Sequence, residues 1–138
     1  DPQAEWVMVH DAARPCLSFT DLSRLLEEGL QSPDGAILAT PVSDTLKMAG
    51  EDERIEETID RSRYWAAQTP QLFRIRELAA NLDAALSASL KPTDDAAAME
   101  RAGKHPLLVQ GSSTNIKITG AEDLALAEFI LQRQSVRE

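Results

Sequence analysis

Residues 6–15 read WVMVHDAARP, and the fold is decided by how this stretch is read. Trp6-Val7-Met8-Val9 is a short apolar run with the β-branched content of a buried strand. It stops abruptly at His10-Asp11, followed by Ala12-Ala13, Arg14 and Pro15. In an open α/β sheet the ligand crevice lies outside the carboxyl ends of the strands. A carboxylate placed directly after such a strand therefore stands where a ligand or metal would bind. Arg14 adds a planar fork suited to phosphate or carboxylate. A purely structural alternative stays open, in which Asp11 caps the next turn and pairs with Arg14.

Beyond this stretch, strand and helix patterns alternate. Residues 18–31 begin with a capping-box-like pair, Ser18 and Asp21, and carry a stripe of Leu22, Leu25, Leu26 and Leu30, with Gly29 loosening the end. GAILAT at 35–40 is a second buried strand, uncharged and continuous as parallel strands tend to be. QTPQLF at 68–73 reads as an extended turn anchored by Pro70, whose ring disfavours helix at Thr69. A helix over 76–89 turns Leu78, Leu82, Ala85 and Leu86 inward, and Thr93 opens another that Gly103 stops. PLLVQ at 106–110 and NIKIT at 115–119 read as strands, the latter with Ile116 and Ile118 on one face and Lys117 on the other. Thr119 and Glu122 form a capping box before a last helix with Leu124, Ala127 and Leu131 in one stripe, broadened by Leu126 and Ile130. The pattern is that of an α/β sandwich spanning residues 1–138 as a single domain.

Residues 41–60 change character. Val42, Leu46 and Met48 alternate with polar side chains, as do Ile55 and Ile59, around a polar turn at 49–53. This is a β-hairpin by pattern. An isolated hairpin is marginal in water, so its apolar side needs a partner, either its own domain or a second subunit.

Composition narrows the function. With 23 acidic against 14 basic side chains the formal charge is −9, which argues against nucleic acid or an anionic membrane surface as partner. Cys16 is the only cysteine, so there is no internal disulfide and no thiolate metal cluster. No apolar run approaches membrane-spanning length and no signal-peptide pattern opens the chain; a reducing, soluble compartment fits. His10 and His105 are the only histidines, too scattered for a His-based metal site or a triad. Ser112 and Ser113 lie in no nucleophile elbow, so nothing argues for covalent catalysis. The six glycines form no phosphate-cradling loop.

HDAARP as a whole is much rarer than its parts. It closely resembles the substrate-site signature of the 2-C-methyl-D-erythritol 4-phosphate cytidylyltransferases, a family of the non-mevalonate isoprenoid pathway. PVSDTLK at 41–47, IDRSRYWAAQTPQLF at 59–73, PTDDA at 92–96 and GSSTNIKITGAEDLALAEF at 111–129 resemble the same family in the same order. The resemblance runs over nearly the whole chain. It implies a Rossmann-like nucleotidyltransferase sandwich, incomplete here, with residues 41–60 as a protruding hairpin arm exchanged within a cytoplasmic homodimer. The family's Gly-rich loop, with the Arg and Lys that hold CTP, has no match, so the chain reads as the C-terminal, acceptor-binding part.

The implied substrates are CTP and 2-C-methyl-D-erythritol 4-phosphate, and the implied cofactor is Mg2+. By the same resemblance Lys117 holds the acceptor phosphate from one side of the cleft, with Asn115 orienting its loop. Arg61 reaches that phosphate across the dimer interface. Asp11 binds polyol hydroxyls or lies near the magnesium, for which it is the only candidate ligand. Arg14 organises the pocket or a dimer contact, Thr45 reaches the neighbouring site, and Thr69 and Thr93 match further pocket residues. From the residues alone, Arg61 could equally be a surface partner of Asp60, Lys117 an ordinary solvated lysine, and Thr93 a helix cap. Ribitol-5-phosphate cytidylyltransferases share much of the motif set, and a non-catalytic dimerisation module is the alternative from another class.

Overall fold

The computed structural model describes residues 4–89 and 92–134. Its centre is a four-stranded sheet of β1 (Trp6–Val9), β2 (Ala36–Pro41), β5 (Trp65–Arg74) and β6 (Leu107–Gln110). Their order across the sheet is β1-β5-β2-β6. β5 runs antiparallel to both β1 and β2, and β2 runs parallel to β6. The sheet is therefore mixed, and GAILAT is parallel on one side only.

The strand period of two sorts side chains onto two faces. On one face Leu38 and Ala36 of β2, Leu72 of β5 and Val109 of β6 pack with Leu25 of helix α1 (Phe19–Gly29). On the other, Ile37 and Phe73 pack with Leu78 of α2 (Ile75–Ser87) and with Ala96 and Met99 of α3 (Asp95–Arg101). These two layers of helix on one sheet make the sandwich. Gly29 does more than loosen the end of α1. A Cβ there would stand 2.9 Å from Leu72 Cδ2 and 3.0 Å from Ala36 Cβ, so glycine lets α1 approach the sheet.

The structure revises several expectations. QTPQLF is no turn; it lies inside β5, the ten-residue strand that joins β1 to β2. The β2–β5 register shifts between Ile37 and Ala39, so Gln68, Thr69 and Pro70 stand against Leu38 alone, without one-to-one pairing. A bulge asks no ladder hydrogen bond of proline, which is why Pro70 is tolerated in an interior strand. β1 is half-buried, with Met8 exposed, and forms an edge among the described strands. NIKIT is not a strand. It is an irregular segment whose Ile116 and Ile118 pack on Cys16, Ala127 and Ile130.

The helix ends differ too. Asp94, not Thr93, caps α3, its Oδ1 accepting the Ala97 N–H at 2.8 Å. Before α4 (Ala121–Gln134) the capping carboxylate is Asp123, whose Oδ2 accepts from Thr119 N, Thr119 Oγ1 and Gly120 N. Those bonds hold its carboxyl below the usual range. Glu122 has no part in this cap. The inward stripe of α4 is Ala127 with Ile130, while Leu124, Leu126, Phe129 and Leu131 are exposed, as are Leu30 of the turn after α1 and Leu86 of α2.

The hairpin forms as expected, β3 (Leu46–Ala49) pairing antiparallel with β4 (Ile55–Ile59) as a separate two-stranded sheet. Leu46 stands opposite Ile59, and Met48 and Ile55 are exposed.

Candidate active site

The pairing directions bring the carboxyl ends of β1, β2 and β6 and the amino-terminal half of β5 to one end of the sheet. Asp11 stands there, half-buried, two residues after β1. Its Oδ1 accepts the Ala13 N–H at 3.0 Å, and the Arg14 N–H closes the turn onto Asp11 O at 2.9 Å. This is a local turn in which an Asp side chain supplements the backbone. Its other oxygen does not pair with Arg14. Oδ2 lies 2.8 Å from Lys117 Nζ.

Lys117 reaches Asp11 because of how its segment is held. Ile116 and Ile118 turn into the cluster beneath α4, which leaves the lysine between them half-exposed on the opposite side. The Ile118 N–H bonds Ala13 O at 2.8 Å, tying the segment to the Asp11 turn. Asn115 is fully buried, and its Nδ2 donates to Thr69 O at 2.9 Å. Arg14 completes the frame by donating through Nη1 to Asn115 O at 2.6 Å and through Nη2 to Ala67 O at 3.5 Å. Three segments distant in sequence are thus knitted by side chain to backbone bonds. Both terminal nitrogens of Arg14 thus tie Asn115 and Ala67 to the Asp11 turn.

Thr69 sits in the β5 bulge. Its Oγ1 accepts the Asp11 N–H at 2.9 Å and lies 2.9 Å from His10 Nδ1. Electrostatics follow this geometry. The Asp11 carboxyl is held below its ordinary range, first by the Lys117 hydrogen bond and then by the Ala13 N–H. Burial pulls the Arg14 guanidinium down from its usual value, and the nearby Asp11 charge opposes that.

The remaining expected residues lie elsewhere. Arg61 opens a short 3-10 turn, Arg61–Arg63, at the hairpin base and donates through Nη1 to Val42 O at 2.6 Å. It does not pair with Asp60, whose Oδ1 takes the Ser62 N–H at 3.0 Å. Thr45 is exposed, immediately before β3 and not within it. Thr93 is exposed, just ahead of the Asp94 cap. Within this chain the structure therefore unites Asp11, Arg14, Thr69 and Lys117, and no hydrogen bond or ion pair joins Thr45, Arg61 or Thr93 to them among the described residues.

Two supporting residues were not expected in these roles. Asp21 is almost fully buried in α1 and accepts from Ser112 N at 3.1 Å and Ser112 Oγ at 2.9 Å. That anchors the loop leading to Asn115 and Lys117. The sequence carries a signal for it, since Asp21 shares an inward helical phase with Leu25 and Gly29, which is no place for a solvated carboxylate. His10 is the other, bridging Thr69 and the Arg14 carbonyl.

The donor set does not build a metal site. Among the described residues no group of three or more His, Cys, Asp or Glu side chains could hold an ion. Asp11, the sole carboxylate in the cluster, already serves Lys117 and Ala13. No described helix is long and apolar enough to cross a membrane.

Many families of α/β sandwich bind their ligands in the crevice at the carboxyl ends of the strands, where this cation and carboxylate stand. The comparisons with known proteins say which. The family model described as 2-C-methyl-D-erythritol 4-phosphate cytidylyltransferase matches residues 1–133, and the chain belongs to that family. The family's enzyme from Tolumonas auensis is 54% identical over 134 residues, 97% of this chain and 59% of that protein. The one from Stenotrophomonas maltophilia strain R551-3 is 55% identical over 131 residues, 95% of this chain and 56% of that protein. A solved structure of the Thermus thermophilus enzyme superposes with a TM-score of 0.85 at 35% identity, over 94% of this chain and 63% of that one. The Francisella tularensis enzyme gives 0.83 at 40% identity, over 91% and 58%. The chain thus spans somewhat more than half the length of the curated relatives it matches.

Proposed function

We propose that this chain is the acceptor-binding part of a cytoplasmic enzyme that transfers a cytidylyl group from CTP to 2-C-methyl-D-erythritol 4-phosphate, in isoprenoid-precursor synthesis. The observation that carries this reading is the Lys117–Asp11 pair at 2.8 Å, held at the strand ends within the stretch that the family match covers. In the reaction an acceptor phosphate oxygen attacks the α-phosphorus of CTP, a new P–O bond forms in line with the one that breaks, and pyrophosphate leaves. Two anions must approach each other, so catalysis is mainly positioning and charge neutralisation.

Lys117 would hold the acceptor phosphate. An ammonium has three donors, so Nζ can keep Asp11 and still reach a phosphate oxygen. Asp11, aimed by its turn, would accept from polyol hydroxyls, with Thr69 and Thr93 completing the pocket. Arg61 and Thr45, on the hairpin, would serve the site of a second subunit. The magnesium ion that such enzymes use would rest mainly on nucleotide phosphates, as Mg2+ commonly does, since the described residues build no carboxylate site for it.

The test is turnover by an enzyme of the relatives' full length carrying these residues, assayed as pyrophosphate release from CTP with each polyol phosphate. Methylerythritol phosphate should be strongly preferred. Preference for ribitol 5-phosphate would move the assignment to the sister activity, and no turnover with either would leave a binding module.

A second expectation concerns assembly. Leu46 and Ile59 face each other across a hairpin that packs as its own small sheet, and two-fold self-complementary contacts are the commonest oligomer interface. Light scattering should report a homodimer at micromolar concentration, and Leu46→Asp combined with Ile59→Asp should shift it to monomer. A monomeric parent enzyme would rule out the arm.

A further inference from the structure

His10 carries no ligand role in the proposed chemistry, yet both of its ring nitrogens are engaged. Nε2 lies 2.9 Å from Arg14 O, and Nδ1 lies 2.9 Å from Thr69 Oγ1. A carbonyl oxygen can only accept, so Nε2 carries the hydrogen. In the neutral imidazole Nδ1 is then the acceptor, and the Thr69 hydroxyl must donate to it. The same hydroxyl oxygen accepts the Asp11 N–H at 2.9 Å, and the Arg14 N–H bonds Asp11 O at 2.9 Å. The hydrogen bonds therefore all have a fixed direction. Asp11 donates to Thr69, Thr69 to His10, and His10 to Arg14, whose own N–H returns to Asp11.

We infer that His10 is a positioning residue of the acceptor site. As the Nε2–H tautomer it orients the Thr69 hydroxyl and clamps the 10–14 turn onto β5, and this sets where the Asp11 carboxylate meets Lys117. The inference deepens the proposed function and rests on it for its kinetic consequence, but the closed ring of bonds is a property of the fold. A local geometric reason favours a histidine here. One rigid ring spans an acceptor on its own turn and a hydroxyl on the neighbouring strand, which a flexible side chain would do only at a cost in rotamer freedom.

The experiment uses the full-length enzyme. Losing one or two neutral hydrogen bonds should raise the acceptor KM roughly two- to tenfold in His10→Phe, with KM for CTP and the melting temperature close to the parent's. His10→Asn, whose amide oxygen can stand near the Nδ1 position, should recover most of the loss. In a Thr69→Val background His10→Phe should cost little more, because its effect passes through that hydroxyl. An unchanged acceptor KM in His10→Phe, or an equal loss with and without Thr69, would overturn the inference. Nitrogen-15 NMR of the labelled parent should show the hydrogen on Nε2, and a spectrum placing it on Nδ1 would overturn it as well. That spectrum needs no turnover, so a hydrogen found on Nδ1 overturns the inference even if the proposed activity fails or the phenylalanine variant does not fold.

Discussion

Lys117→Ala in the full-length enzyme should lower kcat/KM for the acceptor by roughly ten- to a hundredfold, the worth of one charge-assisted phosphate contact. Its melting temperature should hardly move. The ion pair to Asp11 joins a side chain 51% exposed to one 29% exposed, and pairs so open to water add little to folding. The segment is fixed by other means, namely the Ile118 N–H on Ala13 O, the Asn115 amide on Thr69 O, and the two isoleucines beneath α4. Titration of Asp11 gives a second readout. Its folded value is depressed, chiefly by Lys117, so the stabilisation it brings is present above the unfolded carboxylate value and is lost as pH falls through the lower folded one. Removing Lys117 should move the Asp11 titration up toward ordinary carboxylates, as followed by carbon-13 NMR. A variant with full activity and an unmoved Asp11 would show that the pair is not the acceptor site.

How much of this was legible in the sequence depended on the range of the interaction involved. α1, β2 and the hairpin follow from period and turn chemistry, which are local. β5 was hidden because Pro70 breaks a strand pattern, and only the pairing with both β1 and β2 shows that the break is a bulge. NIKIT misled in the opposite sense. Its alternation is genuine, but it answers packing against Cys16, Ala127 and Ile130, and no described strand pairs with it. Asp11 could be placed at a strand end from sequence, yet its neighbour Arg14 looked like its partner, whereas the fold delivers Lys117 from far along the chain. Ser18 caps α1 as its sequence suggests, its Oγ accepting the Asp21 N–H at 3.1 Å, but two other caps failed for a similar reason. Thr93-Asp94 and Thr119 with Glu122 each offer more than one oxygen in reach of a helix start, and in both places the structure chooses an aspartate. Carboxylates accept backbone N–H groups more strongly than hydroxyls do, which favours Asp94 over Thr93. The motif segments gave the family and its residue set; the frame of Arg14, Asn115, Thr69 and His10 required the tertiary contacts.

Mixing Arg61→Ala enzyme with Lys117→Ala enzyme should restore part of the activity that each lacks alone. Arg61→Ala by itself should cost at least about tenfold in kcat/KM, by the same phosphate arithmetic. Within one chain Arg61 belongs to the hairpin base, where it donates to Val42 O, while Lys117 belongs to the strand-end cluster with Asp11. If the hairpin arm completes the neighbour's site, every active site takes Arg61 from one subunit and Lys117 from the other. A mixed dimer then has one site carrying both lesions and one carrying neither. Random exchange of equal amounts makes half the dimers mixed, so a quarter of all sites should be intact, far above either parent. Losing the Arg61 side chain removes a bond to Val42 O on an exposed loop, so the melting temperature should stay near the parent's and the mutants should remain dimers. If proven subunit exchange leaves the mixture as inactive as its components, Arg61 acts in its own subunit. The hairpin would then be an arm for assembly alone, and the acceptor phosphate would have to be bound by Lys117 without help from across the interface.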